Sequence, residues 1–92
     1  MNNQSVINAF ICGKSANSSN RNLRSYGNKL VSYYTTIAER LADGTIVLNR
    51  TKYSVSTSKI QTWLLNSVVI GGFPHREVYN VPLGAQNLAK YL

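Results

Sequence analysis

Ninety-two residues make one small domain, 1–92, with room for one modest core. A hydrophobic content of 43% argues against wholesale disorder, and no apolar run approaches the ~20 residues that cross a bilayer. Ten Lys and Arg against three acids, Glu39, Asp43 and Glu77, exclude an acidic mimic of nucleic acid and favour phosphates or acidic protein surfaces as partners.

The first segment, "MNNQSVINAFICG", has neither a basic start nor a long apolar stretch, so it does not read as a secretory signal, and a cytosolic setting follows. Within it Val6, Ile7, Phe10 and Ile11 form a helical stripe that Gly13 ends. The single cysteine, Cys12, has no internal partner and is expected as a small core residue of that helix.

Residues 14–29 are rich in Asn and Ser, hold Lys14, Arg21, Arg24 and Lys29, and contain no acid. With only Leu23 and Tyr26 to bury, the segment reads as a flexible basic loop or arm. Residues 30–41 are dense in β-branched and aromatic types, the signature of a strand. Asp43-Gly44 follows, and a type I′ turn with positive φ at both residues predicts a hairpin with a return strand over 45–53. On that strand Arg50 and Lys52 would share one face.

The next helix is expected to start near Ser56 as N-cap, with Val55 and Ile60 forming a hydrophobic staple. Ile60, Trp63, Leu64 and Val68 make its apolar stripe, with Trp63 as a core anchor. Pro74 and Pro82 bracket a third strand over 75–81 and suggest an edge position. Leu83, Leu88 and Leu92 can form a short C-terminal helix. The expected fold is a small α+β domain, a β-hairpin extended to a roughly three-stranded, mostly antiparallel sheet packed with short helices.

Catalytic materials are scarce. His75 is the only histidine, between Pro74 and Arg76, and Asp43 is committed to its turn, so no Ser–His–Asp arrangement is indicated. One histidine and one cysteine do not make a zinc site, and no Gly-rich phosphate loop is present; no cofactor, metal or catalytic residue is therefore expected. Binding has more support. Arg24 is interleaved with Tyr26, Lys29 with Tyr33 and Tyr34, and Arg50 and Lys52 with Tyr53, so cations can hold phosphates while aromatic faces stack bases. Lys59 would sit in the first turn of the helix after Tyr53, beside Thr57 and Ser58, where free amides attract anions. The candidate binding residues are Arg21, Arg24, Lys29, Tyr34, Arg50, Lys52, Tyr53 and Lys59.

Gly13-Lys14, an Asn/Ser-rich loop, "LVSYYTTIA" at 30–38, the turn at 43–44 and "YSVSTSK" at 53–59 resemble a widespread set of short, uncharacterised bacteriophage proteins. Their shared pattern is Gly-Lys, a loop, Leu-x-Ser-Tyr-x-Thr-x-Ile-Ala, a hairpin turn and Tyr-Ser-x-Thr-Thr-Ser-Lys. The likeness covers residues 9–61, with Ser56 in place of the first threonine of the last element. It implies a phage origin and no particular activity. Short non-enzymatic phage proteins are often inhibitors of host machinery, anti-CRISPR proteins among them. By that analogy the chain is expected to inhibit a host defence or takeover target in the host cytoplasm. It would act stoichiometrically on a host defence protein or ribonucleoprotein complex, with no membrane partner. A direct DNA- or RNA-binding accessory protein is the alternative, and a structural or virion component a further one.

Overall fold

The computed structural model describes residues 2–19 and 22–92. Helix α1, Asn3–Ile11, is capped by Asn2, whose side-chain oxygen accepts from Ser5 N at 2.8 Å. Strands β1 (Ser15–Asn17), β2 (Leu23–Tyr26), β3 (Lys29–Ser32), β4 (Thr35–Arg40) and β5 (Ile46–Asn49) follow, then helix α2 (Val55–Ile70) and strand β6 (His75–Val78). The strands form one sheet in sequence order. Four pairings are antiparallel, and β6 joins β5 in parallel after the α2 crossover. The α+β class holds, but the sheet has six strands where the sequence pattern suggested three.

The additional strands arise where little apolar content was visible. The segment expected as a loop, 14–29, carries β1 and β2 and the start of β3. Leu23 and Ser25 point to the helices, Arg24 and Tyr26 to the opposite side, so a period of two was present in polar residues. The expected single strand over 30–41 is two strands joined at Tyr33-Tyr34, with Ser32 paired to Thr35. A bulge accompanies them: Leu30 pairs with Ala38 and Val31 with Thr36, leaving Ile37 extra, and both Ile37 and Ala38 reach the core.

The hairpin at Asp43 forms with a different turn. Leu41 and Thr45 close a three-residue loop, Gly44 has φ of +89°, and Asp43 lies outside the positive-φ region. Asp43 instead accepts from Thr45 N at 2.9 Å through its carboxylate.

Both helices cover one face of the sheet. Val6, Ile7 and Phe10 of α1 and Ile60, Leu64 and Val68 of α2 pack with Leu23, Leu30, Ile37, Ile46 and Leu48. The C-terminal segment, 79–92, crosses the other face over β4–β6, where Val47, Val78, Val81 and Leu88 form a second cluster. It is held by polar contacts: Thr36 Oγ1 donates to Gln86 O, Gly84 N to Thr35 Oγ1, and Leu88 N to Glu39 Oε1. The expected C-terminal helix is a single 3-10 turn, Ala89–Tyr91, with Leu88 buried and Leu83 and Leu92 exposed. No helix among the described residues is long and apolar enough to cross a membrane.

Four further expectations are corrected. Ser54, not Ser56, caps α2, accepting from Thr57 N at 3.2 Å. Val55 is then the first helical residue and exposed, so no staple forms. Trp63 is 43% exposed beside the buried Ile60 and Leu64, because the stripe that faces the sheet runs through Thr57, Ile60, Gln61, Leu64 and Val68. Cys12 caps the end of α1 and is exposed.

Candidate nucleic-acid interface

The half of the sheet that the C-terminal segment leaves uncovered presents β2 and β3. Arg24, Tyr26, Lys29 and Val31 project from it, and Tyr34 rises from the β3–β4 turn. Together with Gln86 they line a cleft of about 340 Å³. The Arg24 guanidinium lies 5.7 Å from the Tyr26 ring centroid and donates to Tyr33 O at 3.2 Å, while its Nε is buried without a partner. Lys29 Nζ donates to Asn87 Oδ1 at 2.7 Å. Tyr34 is 82% exposed. None of the described residues lining this cleft is acidic.

A second region surrounds the start of α2. Lys52, Tyr53, Lys59 and Trp63 line a cleft of about 480 Å³. Lys59 and Trp63 also form one wall of a neighbouring cleft of about 240 Å³ that reaches β3 and the start of α1. The structure thus brings Arg24, Lys29 and Tyr34 together at one site, and Lys52, Tyr53 and Lys59 at another.

Arg50 belongs to neither. The return strand ends at Asn49, so Arg50 and Lys52 share no strand face. Arg50 Nε lies 3.8 Å from Glu77 Oε1, the one ion pair among the described residues. Arg21 lies outside the described residues. Tyr53, expected only as an aromatic contact, also has an internal duty: its hydroxyl donates to Val81 O at 2.6 Å and accepts from Asn49 Nδ2 at 2.8 Å. Asn49 in turn donates to Thr36 O, and Gln61 Nε2 donates to Asn49 O and Thr51 O. This buried network fixes the 50–54 loop and with it the position of Lys52.

Arg40 is absent from the expected binding residues, and among the described residues it is the cation most engaged by the fold. Its guanidinium donates to Gly27 O, Phe10 O and Ile11 O at 2.9, 2.8 and 3.0 Å and lies 5.0 Å from the Phe10 ring centroid. It neutralises the carbonyl end of α1 and ties it to the β2–β3 turn. The acids are likewise engaged within the fold: Glu39 on Leu88 N, Asp43 on Thr45 N, and Glu77 on Arg50 and the Tyr79 hydroxyl. The Thr45 amide holds the Asp43 carboxyl below its ordinary range, and the hydrogen bond to Glu77 raises Tyr79.

His75 is exposed on β6, its Nδ1 3.3 Å from Phe73 O. No three His, Cys, Asp or Glu side chains among the described residues converge on a metal-sized site. Comparison of the chain with family models, curated proteins and solved structures found no match.

Proposed function

We propose that the protein is a non-catalytic binder of single-stranded nucleic acid, held on the open face of β2 and β3. Arg24 and Lys29 contact backbone phosphates there, and Tyr26 and Tyr34 offer faces for bases. One observation carries this reading: two cations and two exposed tyrosines share a cleft whose described lining is free of carboxylates. An antiparallel sheet keeps such side chains in fixed rows, so cation and ring spacing is preorganised.

Titrating a fluorescently labelled single-stranded RNA over a range of salt tests the reading. Arg24→Ala and Lys29→Ala should each reduce the slope of log affinity against log salt by roughly 0.7, the value for one phosphate contact on a single strand. Tyr34→Ala should weaken binding by about 1–3 kcal/mol while leaving the slope unchanged. Unchanged affinity and slope in the Arg24 and Lys29 variants would refute it.

A second reading draws on the other end of the molecule. Val69 and Ile70 are exposed at the end of α2, and Ile70 joins Ile11 and Phe73 around an apolar cleft of about 370 Å³. An exposed aliphatic cluster of this kind suits a protein partner better than a phosphate backbone. With the resemblance to short phage proteins, this favours a phage-encoded inhibitor of a host defence ribonucleoprotein, such as an anti-CRISPR acting in the host cytoplasm. Its sheet face would lie on RNA and its apolar end on a protein subunit. Pull-down from host lysate with and without nuclease separates the readings. A partner that survives nuclease and is lost in Ile70→Asp supports the inhibitor; recovery of nucleic acid alone removes it.

A further inference from the structure

Three clefts follow one another around the end of the sheet where β3 turns into β4. The first is the sheet cleft of Arg24, Lys29 and Tyr34. The second, of about 250 Å³, lies across the same turn, and its lining includes Tyr33, Thr35, Tyr53, Ser54 and Leu83. Tyr33-Tyr34, Thr35-Thr36 and Leu83-Gly84 each give one residue to the second cleft and the next to the first. Only the end of the hairpin therefore separates the two. The third is the 480 Å³ cleft of Lys52, Lys59 and Trp63, which shares the walls Tyr53 and Ser54 with the second.

The crossing point is built and fixed. Gly84 N donates to Thr35 Oγ1 and Thr36 N to Ala85 O, both at 2.9 Å, so the 83–85 segment is bonded to the start of β4. Tyr33 holds φ of +56° at the first position of the two-residue β3–β4 loop, a place that favours glycine. Its ring is half exposed and regains little by burial, so the backbone strain serves to keep an aromatic face at the crossing. Charge is sorted along the same route. No acid lines any of the three clefts. Glu39 and Asp43 lie toward the far end of β4 and its turn to β5, and Glu77 lies on β6. Lys52 and Lys59 make no hydrogen bond or ion pair with the described residues, so the fold gives their charges no other duty.

We propose that a single strand seated on the sheet face continues over the β3–β4 turn and onto the first half of α2. Its bases meet Tyr33 and then Trp63, and its phosphates meet Lys52 and Lys59. The inference rests on the sheet-face reading and extends it, since it fixes the course of the strand and the class of ligand. The path bends round the end of a hairpin in a molecule only 31 Å long. A flexible single strand follows such a course, whereas a duplex, with a persistence length of about 150 base pairs, resists it.

Trp63 is the only tryptophan, so its fluorescence reports on the far end of the path directly. The intact protein is titrated with a single-stranded RNA of about twelve nucleotides, within the roughly 4–16 that small single-strand binders cover, and with a duplex of the same sequence. The single strand should quench Trp63 at one strand per protein, and the duplex should bind more weakly. Lys52→Ala and Lys59→Ala should each reduce the slope of log affinity against log salt by roughly 0.7. Both lysines are exposed, so these variants should melt with the wild type and their loss of binding cannot come from unfolding. Arg24→Ala with Lys29→Ala should weaken the Trp63 signal as well, because one strand occupies both ends. If those sheet-face changes weaken binding while Trp63 stays unquenched and the Lys52 and Lys59 slopes stay at the wild-type value, the strand remains on the sheet; this inference falls and the sheet-face reading stands. Quenching that is indifferent to Arg24 and Lys29, or equal affinity for the duplex, would overturn the continuous path. Absence of binding by either nucleic acid removes the path and the sheet-face reading together.

Discussion

Arg40→Ala should be the most damaging change of a charged residue in this protein. The substitution removes three charge-assisted hydrogen bonds, to Gly27 O, Phe10 O and Ile11 O, and the cation over the Phe10 ring. Bonds to charged groups contribute about 1.5–3 kcal/mol each when no solvent competes. Arg40 is half-buried, and Phe10 O keeps a second donor in Gly13 N, so water and that amide recover part of the loss. The cation over the ring adds about 0.5–1 kcal/mol at this exposure. A net cost of about 3 kcal/mol follows, a large share of the roughly 5–10 kcal/mol expected for a domain of this size. The melting temperature should fall by roughly 15 °C, read by circular dichroism. Arg40→Lys should recover less than half, because an ammonium cannot span three carbonyls as a planar fork does. The salt slope for nucleic acid should be unchanged, since this guanidinium is turned inward. A loss under about 1 kcal/mol, or full recovery with lysine, would refute the staple; a reduced salt slope would return Arg40 to the binding surface.

Two other changes probe the fold and its pH dependence. Tyr53→Phe removes the hydroxyl between Asn49 and Val81 and leaves both buried groups short of a partner, so it should cost about 1–2 kcal/mol in urea unfolding while the ring still lines its cleft. For Asp43 the folded carboxyl titrates lower than the unfolded one, because Thr45 N bonds the charged form. That contribution is present above the unfolded pKa and fades as pH falls through the folded one. The urea midpoint gap between wild type and Asp43→Asn should therefore narrow as the solution is acidified through the carboxylate range, and a gap independent of pH would count against the Thr45 contact.

The sequence made apolar periodicity legible and polar periodicity hard to see. The α1 stripe and the core face of α2 follow from Val6, Ile7, Phe10, Ile60, Leu64 and Val68 at helical spacing. Strands β1 and β2 were missed because Ser15, Asn17, Arg24 and Ser25 carry low strand propensity, and they pair because β3 offers an edge and α1 a lid. Of the candidate site, Arg24, Lys29 and Tyr34 could be chosen by residue type, but their common cleft depends on the two-residue turn that Tyr33 concealed. Nothing local marks Tyr33 as a left-handed residue, since glycine or asparagine is the usual signal. Arg50 was misplaced for a related reason: Asn49 ends the strand by turning its side chain to Thr51 N, and the alternation stops there.

That turn also organises the charge. Tyr33 and Tyr34 are neighbours, yet Tyr33 lines the cleft at the helix N-termini and Tyr34 the cleft on the open sheet face. The three acids are held at Leu88 N, Thr45 N and Arg50, on β4, its turn to β5, and β6. No carboxylate therefore lines the clefts that hold Arg24, Lys29 and Lys59. Screening acts over about 8 Å at physiological salt, so these short-range contacts persist after long-range attraction has faded. Tyr33→Gly should relieve strain and raise the melting temperature, yet loosen binding on the sheet face, because it frees the turn that places Tyr34. A variant that is more stable and binds equally well would show that the strained tyrosine does not serve binding.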